Sequence, residues 1–103
     1  MSNENKNILT EDINKIVHEP ARLKILAYLS MVDTCDFVYL MYKTGLSKGN
    51  LSSHLSKLET TGYIDIKKEF VEKIPRTLVS ITTLGAKALY KYKTHMLKLL
   101  NSF

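Results

Sequence analysis

The stretch from Gly45 to Ile64, GLSKGNLSSHLSKLETTGYI, concentrates short hydrogen-bonding side chains, with leucines at 46, 51, 55 and 58. At about 100° per residue, 51, 55 and 58 share one helical stripe. Gly49, Ser53 and Ser56 point most directly away from it, flanked by Asn50 and Lys57, with Ser52 and His54 at the edges. Such groups near the start of an exposed helix suit the base edges of a DNA major groove: Asn pairs with adenine, Lys with guanine and Ser with either. Ser47, Lys48, Gly49, Asn50, Ser52, Ser53, His54, Ser56 and Lys57 are therefore candidate contacts. Gly49 costs a helix roughly 0.5–1 kcal/mol relative to alanine, which makes sense where the backbone must come close to a ligand. A plain solvated face is the competing explanation, but it would favour stronger helix formers than four serines, a glycine and an asparagine. His54 has a second reading, packing against the first strand.

Other chemistry is sparse. The sequence contains no glycine-rich phosphate loop, no Cys or His pair at metal-ligand spacing and no paired carboxylates on a common face. His18, His54 and His95 are isolated from one another, so neither enzymatic activity nor a metal or cofactor is expected. Cys35 reads as a small packing residue, with redox or metal sensing as the alternative.

Length and charge narrow the class. A chain of 103 residues fits one domain, 1–103, with one modest core. No apolar run approaches the roughly 18 residues of a membrane span. The polar start MSNENKNILTED and the single cysteine fit a reducing cytoplasm. The net charge of +5 is lopsided. Residues 1–36 carry Arg22 and three lysines against six acids, whereas residues 37–103 carry Arg76 and ten lysines against four acids. A one-sided basic surface is expected of a nucleic-acid or anionic-membrane partner, although solubility explains it equally well.

These residues need elements to hold them. After a polar tail at 1–9, Thr10 can cap a first helix carrying Ile13, Ile16 and Val17. Pro20 can open a second, with Leu23, Leu26, Ala27 and Met31 along one stripe and Ile25 and Leu29 widening it. Asp36 can cap a third short helix that Gly45 ends, and Ser47 a fourth that Gly62 ends. The period then shifts to that of two strands, YIDIKKEF and TLVSITT, around a protruding VEKIPR loop, and residues 83–103 return to a helical pattern. Helix, glycine-containing turn and helix over 36–43, 44–47 and 48–61 make a helix-turn-helix, and the hairpin at 63–82 makes it winged. The expected class is mainly α with a small β-hairpin (α+β): a three-helical core, a wing and a C-terminal helix.

The wing adds Lys67, Lys68, Lys73, Arg76 and Thr77, placed to neutralise phosphates or reach the minor groove. Edge protection by charge is the other reading of the lysines. Pro75 stiffens the loop before Arg76, and Glu72 opposes a strongly binding tip. In the last helix Leu89, Tyr92, Met96, Leu99 and Phe103 recur at coiled-coil spacing beside Leu100. They suit a homodimer seam that Ile8, Leu9, Ile13 and Ile16 could extend; the alternative is a helix packed wholly on its own domain. A two-fold dimer would present recognition helices about 34 Å apart to a palindromic site.

The segments HEPARLKILAYL, GLSKGNLSSHLSKLETTGYIDI and EFVEKIPRTLVSITTLGAKAL together resemble the compact winged-helix transcriptional regulators related to the MarR and ArsR types, in one register from about Val17 to Tyr92. The resemblance implies a homodimeric, sequence-specific double-stranded DNA-binding regulator, with the helix from Ser47 in the major groove and the Lys67-to-Thr77 hairpin as wing. Many relatives carry arginine where Ser53 and Ser56 stand, which points to a different operator. The cysteine pair of ArsR metal sensors is missing, so metal sensing is not implied. Two rivals remain: a winged helix used to dock a protein, and a non-specific architectural DNA binder.

Overall fold

The computed structural model of the chain describes residues 9–103. Its elements run α1 (Pro20–Leu29), β1 (Cys35–Asp36), α2 (Phe37–Thr44), α3 (Lys48–Thr61), β2 (Ile64–Val71), β3 (Ile74–Ile81) and α4 (Thr83–Leu100). The strands form one antiparallel sheet in the order β1-β3-β2.

The helix termini follow local chemistry. Glu19 caps α1 by accepting from the Arg22 amide, with Pro20 in the first turn. Asp36 Oδ1 accepts from the amides of Val38 and Tyr39 to start α2, and Ser47 accepts from Asn50 to start α3. Gly45 and Gly62 end these helices at φ +71° and +86°, the left-handed conformation that glycine adopts without a Cβ penalty. Between α3 and α4 the backbones nearly touch. Thr82 donates its amide to Tyr63 O and its hydroxyl to Gly62 O, and a Cβ on Gly85 would collide with the Tyr63 carbonyl.

Four expectations are corrected. No regular helix spans Thr10 to Val17: residues 9–10 are helical, the chain bends at 11, and 15–17 form a single turn. Asn14 is the cause, since its Oδ1 accepts from the amides of Ile16 and Val17 and so competes with a helical ladder. On α1 the buried residues are Ala21, Ile25, Leu26 and Leu29; Ala27 is exposed, and Met31 lies exposed beyond the helix end. VEKIPR is not a protruding loop. Pairing continues to Val71 and Ile74, and the turn is Glu72 and Lys73 alone, at φ +53° and +67°. Finally, β1 adds an unforeseen strand, pairing Cys35 with Val79 and Asp36 with Leu78. Because β1 reaches no further, Pro75 lies on a free stretch of the β3 edge, where a missing N–H breaks no ladder.

The core joins every helix to the sheet. Val17, Ile25, Leu26, Leu29, Leu40, Leu51, Leu58, Ile64 and Val79 are fully buried, with Cys35, Leu55 and Tyr92 completing the cluster. Burying such a side chain contributes about 1.5–3 kcal/mol. Leu51, Leu55 and Leu58 therefore fix the rotation of α3 about its axis, and with it what α3 presents outward.

Candidate nucleic-acid interface

With the leucines of α3 anchored, Ser47, Lys48, Gly49, Asn50, Ser52, Ser53, Ser56 and Lys57 are all exposed on one continuous surface. His54 is not free among them. It is half-buried and turned to α1: Arg22 Nη1 lies 3.3 Å from its Nδ1, and Glu19 Oε1 lies 4.0 Å away. Arg22 is held in turn by carbonyls, with Nε donating to Ile16 O at 2.6 Å and Nη2 to Lys15 O at 3.3 Å. The Arg22 amide, more than any charge, holds the Glu19 carboxyl below its ordinary pKa. In the sequence Arg22 counts only towards the net charge. A signal was present, because arginine in the first turn of a helix runs against the helix dipole and needs a separate reason.

The wing distributes its basic residues over two faces. The register places Lys67, Glu69 and Arg76 on one side and Lys68 and Thr77 on the other, while Lys73 sits in the turn. Lys67 lies 3.6 Å from Glu69, and Arg76 lies 3.5 Å from Asp36. Between the wing, α2 and α3 runs a groove of about 850 Å³. Lys48, Lys68 and Arg76 contribute its cations, Asp36 and Glu59 its acids, and Phe37, Met41 and Ile66 apolar surface. Beside the Glu72 and Lys73 turn the wing carries exposed apolar side chains, Phe70, Val71 and Ile74.

The expected dimer seam is divided. Tyr92 belongs to the chain's own core, where its hydroxyl lies 2.8 Å from His18 Nδ1, and Leu89, Met96, Ile13 and Ile16 pack against that core. Leu99 is half-buried, whereas Leu9, Leu100 and Phe103 are exposed, as are Tyr90 and Leu97 of α4; Ile8 lies outside the described residues.

Cys35 is a core residue whose thiol is pushed up in pKa, first by burial and then by the charge of Asp36. His95 is buried, with Nε2 lacking a hydrogen-bond partner. Among the described residues no three His, Cys, Asp or Glu side chains gather as a metal site, and no helix is long and apolar enough to cross a membrane.

Comparisons with known proteins agree with this geometry. The description "winged helix DNA-binding domain" matches residues 21–100. An uncharacterized protein of Methanocaldococcus jannaschii is 39% identical over 85 residues, covering 82% of this chain and 92% of that one. A transcriptional regulator homologue from Pyrococcus horikoshii OT3 superposes with a TM-score of 0.83 at 27% identity, over 97% of this chain and 96% of that structure. A MarR-family regulator from Silicibacter pomeroyi shares the fold, with a TM-score of 0.65 at 22% identity over 99% and 67%. The matched description is that of a DNA-binding module and not of an enzyme, and it covers both the helix-turn-helix and the wing. The chain belongs to the winged-helix DNA-binding domain family.

Proposed function

We propose that this chain is a sequence-specific, homodimeric transcriptional regulator that inserts α3 into the major groove of a palindromic operator in the cytoplasm. One observation carries the reading: three buried leucines lock α3 so that Lys48, Asn50, Ser52 and Ser53 form an exposed surface of donors and acceptors near the helix start. Asn50 and Lys48 are the base-reading candidates, with the serines supplying fit and modest hydrogen bonds. Lys68, Lys73 and Arg76 of the wing supply phosphate contacts. No cofactor is needed for this role.

Homodimerisation would use the exposed apolar residues Tyr90, Leu97, Leu100 and Phe103 at the C-terminal end, together with Leu9. A two-fold axis there would pair two recognition helices across about one DNA turn.

Selecting bound fragments from a random duplex pool tests specificity and symmetry together. The expected product is an inverted repeat, bound with an affinity that falls steeply with salt. Asn50→Ala with Ser53→Ala should lower affinity for that sequence by roughly ten-fold or more, at about 1–3 kcal/mol for a good base contact. Enrichment of no sequence, with equal binding to all duplexes, would identify a non-specific architectural binder. The exposed Phe70, Val71 and Ile74 favour a second reading, a wing that docks a protein. Under that reading the Asn50 and Ser53 changes leave partner binding intact.

A further inference from the structure

On the flank of α3 opposite the wing groove lies a shallow hollow of about 490 Å³, lined by Arg22, Ser53, His54, Ser56, Lys57 and Thr60. Its lining contains cations, hydroxyls and an imidazole but no carboxylate; Glu19 Oε1, outside the lining, lies 4.0 Å from His54 Nδ1. Ser56 borders both this hollow and the wing groove, so the two depressions flank one ridge of α3.

Arg22 is built in rather than free to swing. Three of its five N–H groups are engaged, by Ile16 O, Lys15 O and His54 Nδ1, which leaves one on each terminal nitrogen unspent. With His54 Nδ1 accepting from Arg22, the imidazole proton resides on Nε2 as a further donor. A guanidinium fixed by its own domain loses little side-chain entropy on binding an anion, and its fork matches the geometry of a phosphate. Lys57, exposed one turn along α3, adds a mobile charge.

A helix about 10–12 Å across fills a major groove about 12 Å wide, so a DNA backbone passes along each of its flanks. We infer that Arg22, His54 and Lys57 form a seat for a backbone phosphate of the strand opposite the one beside the wing. This rests on the DNA-binding reading above and adds to it α1, an element outside the helix-turn-helix and the wing. The seat positions α3 without reading sequence, since phosphates carry no base identity.

The test measures how the affinity of the full-length chain for mixed-sequence duplex DNA depends on salt. Each lost phosphate contact should lower the slope of log K against log salt by about 0.9. Lys57→Gln and Arg22→Gln should each show this drop and the double variant about twice it, while Lys87→Gln on α4 keeps the wild-type slope. Lys57 has a solvent-facing side chain, so Lys57→Gln should melt like wild type and stays decisive even if Arg22→Gln unfolds. A wild-type slope for Lys57→Gln, or an equal drop for Lys87→Gln, overturns the seat while leaving the major-groove reading to its own Asn50 and Ser53 test. Failure of the wild-type chain to bind any duplex overturns both.

Discussion

One carboxylate performs two functions at the mouth of the wing groove: Asp36 Oδ1 caps α2 through the amides of Val38 and Tyr39, while its Oδ2 lies 3.5 Å from Arg76 Nη1. The pairing follows from the sheet. β1 seats Asp36 opposite Leu78, two residues along β3 from Arg76, so the cap of one helix faces the wing cation. A phosphate entering this groove must compete with Asp36 for Arg76 and approach its negative charge.

Replacing Asp36 with Asn should therefore strengthen DNA binding. Asparagine caps a helix about as well as aspartate, so α2 is kept, while the partner of Arg76 is lost. An exposed ion pair contributes about 0.2–1 kcal/mol, which corresponds to a gain of roughly 1.5- to 5-fold in affinity by titration at low salt. Asp36→Ala removes the cap as well and should cost about 0.5–2 kcal/mol of stability in denaturant unfolding. An Asp36→Asn affinity equal to or below wild type would mean that Arg76 does not meet DNA.

Two glycines separate a functional from a structural requirement. A Cβ at Gly49 would meet nothing within 4 Å, so Gly49→Ala should stabilise the protein by roughly 0.5–1 kcal/mol. If the α3 backbone approaches DNA there, the same variant loses affinity while its melting temperature rises. Gly85→Ala drives a methyl into the Tyr63 carbonyl and should destabilise by about 2 kcal/mol or more, since neither the α4 start nor Tyr63 can move without breaking the Thr82 hydrogen bonds. Thermal melts of both variants, with DNA titration of Gly49→Ala, check the pair.

What could be read from the chain alone follows the range of the interaction. Asp36, Ser47, Gly45 and Gly62 declared themselves because a cap acts over three or four residues, and the leucine stripe of α3 did so because it repeats within one helix. The two-residue β1 exists only through its pairing with Leu78 and Val79, more than forty positions away. The turn at Glu72 and Lys73 uses positive φ without glycine, so it lacked the usual mark. Periodicity correctly gave α4 an apolar stripe, yet a stripe does not say what covers it, and Tyr92 turned out to face its own core. Arg22 and His54 lie 32 residues apart, and nothing local to either announces the contact.

Cys35 should be inert in the folded protein. Its side chain lies in the core, 5% exposed, and burial with the neighbouring Asp36 charge raises the thiol pKa, which lowers the thiolate fraction at neutral pH. Reaction with a thiol reagent should be at least roughly ten-fold slower than in denaturant, with a rate that tracks the population of opened protein. Rapid labelling of the native chain would favour a sensing role instead.

Glu19 links stability to acid. Its folded pKa is depressed, chiefly by the Arg22 amide it caps. A depressed carboxylate stabilises the fold above its unfolded pKa, and that contribution disappears as pH falls through the folded value. Glu19→Gln should therefore be less stable than wild type at about pH 7, by roughly 0.3–1 kcal/mol for a charge at a helix N-terminus. The difference should shrink towards zero once the pH falls below the folded pKa, under the ordinary glutamate value of about 4.3. Unfolding curves of the two proteins across that range check it, and a gap independent of pH would assign the effect of Glu19 to packing rather than to charge.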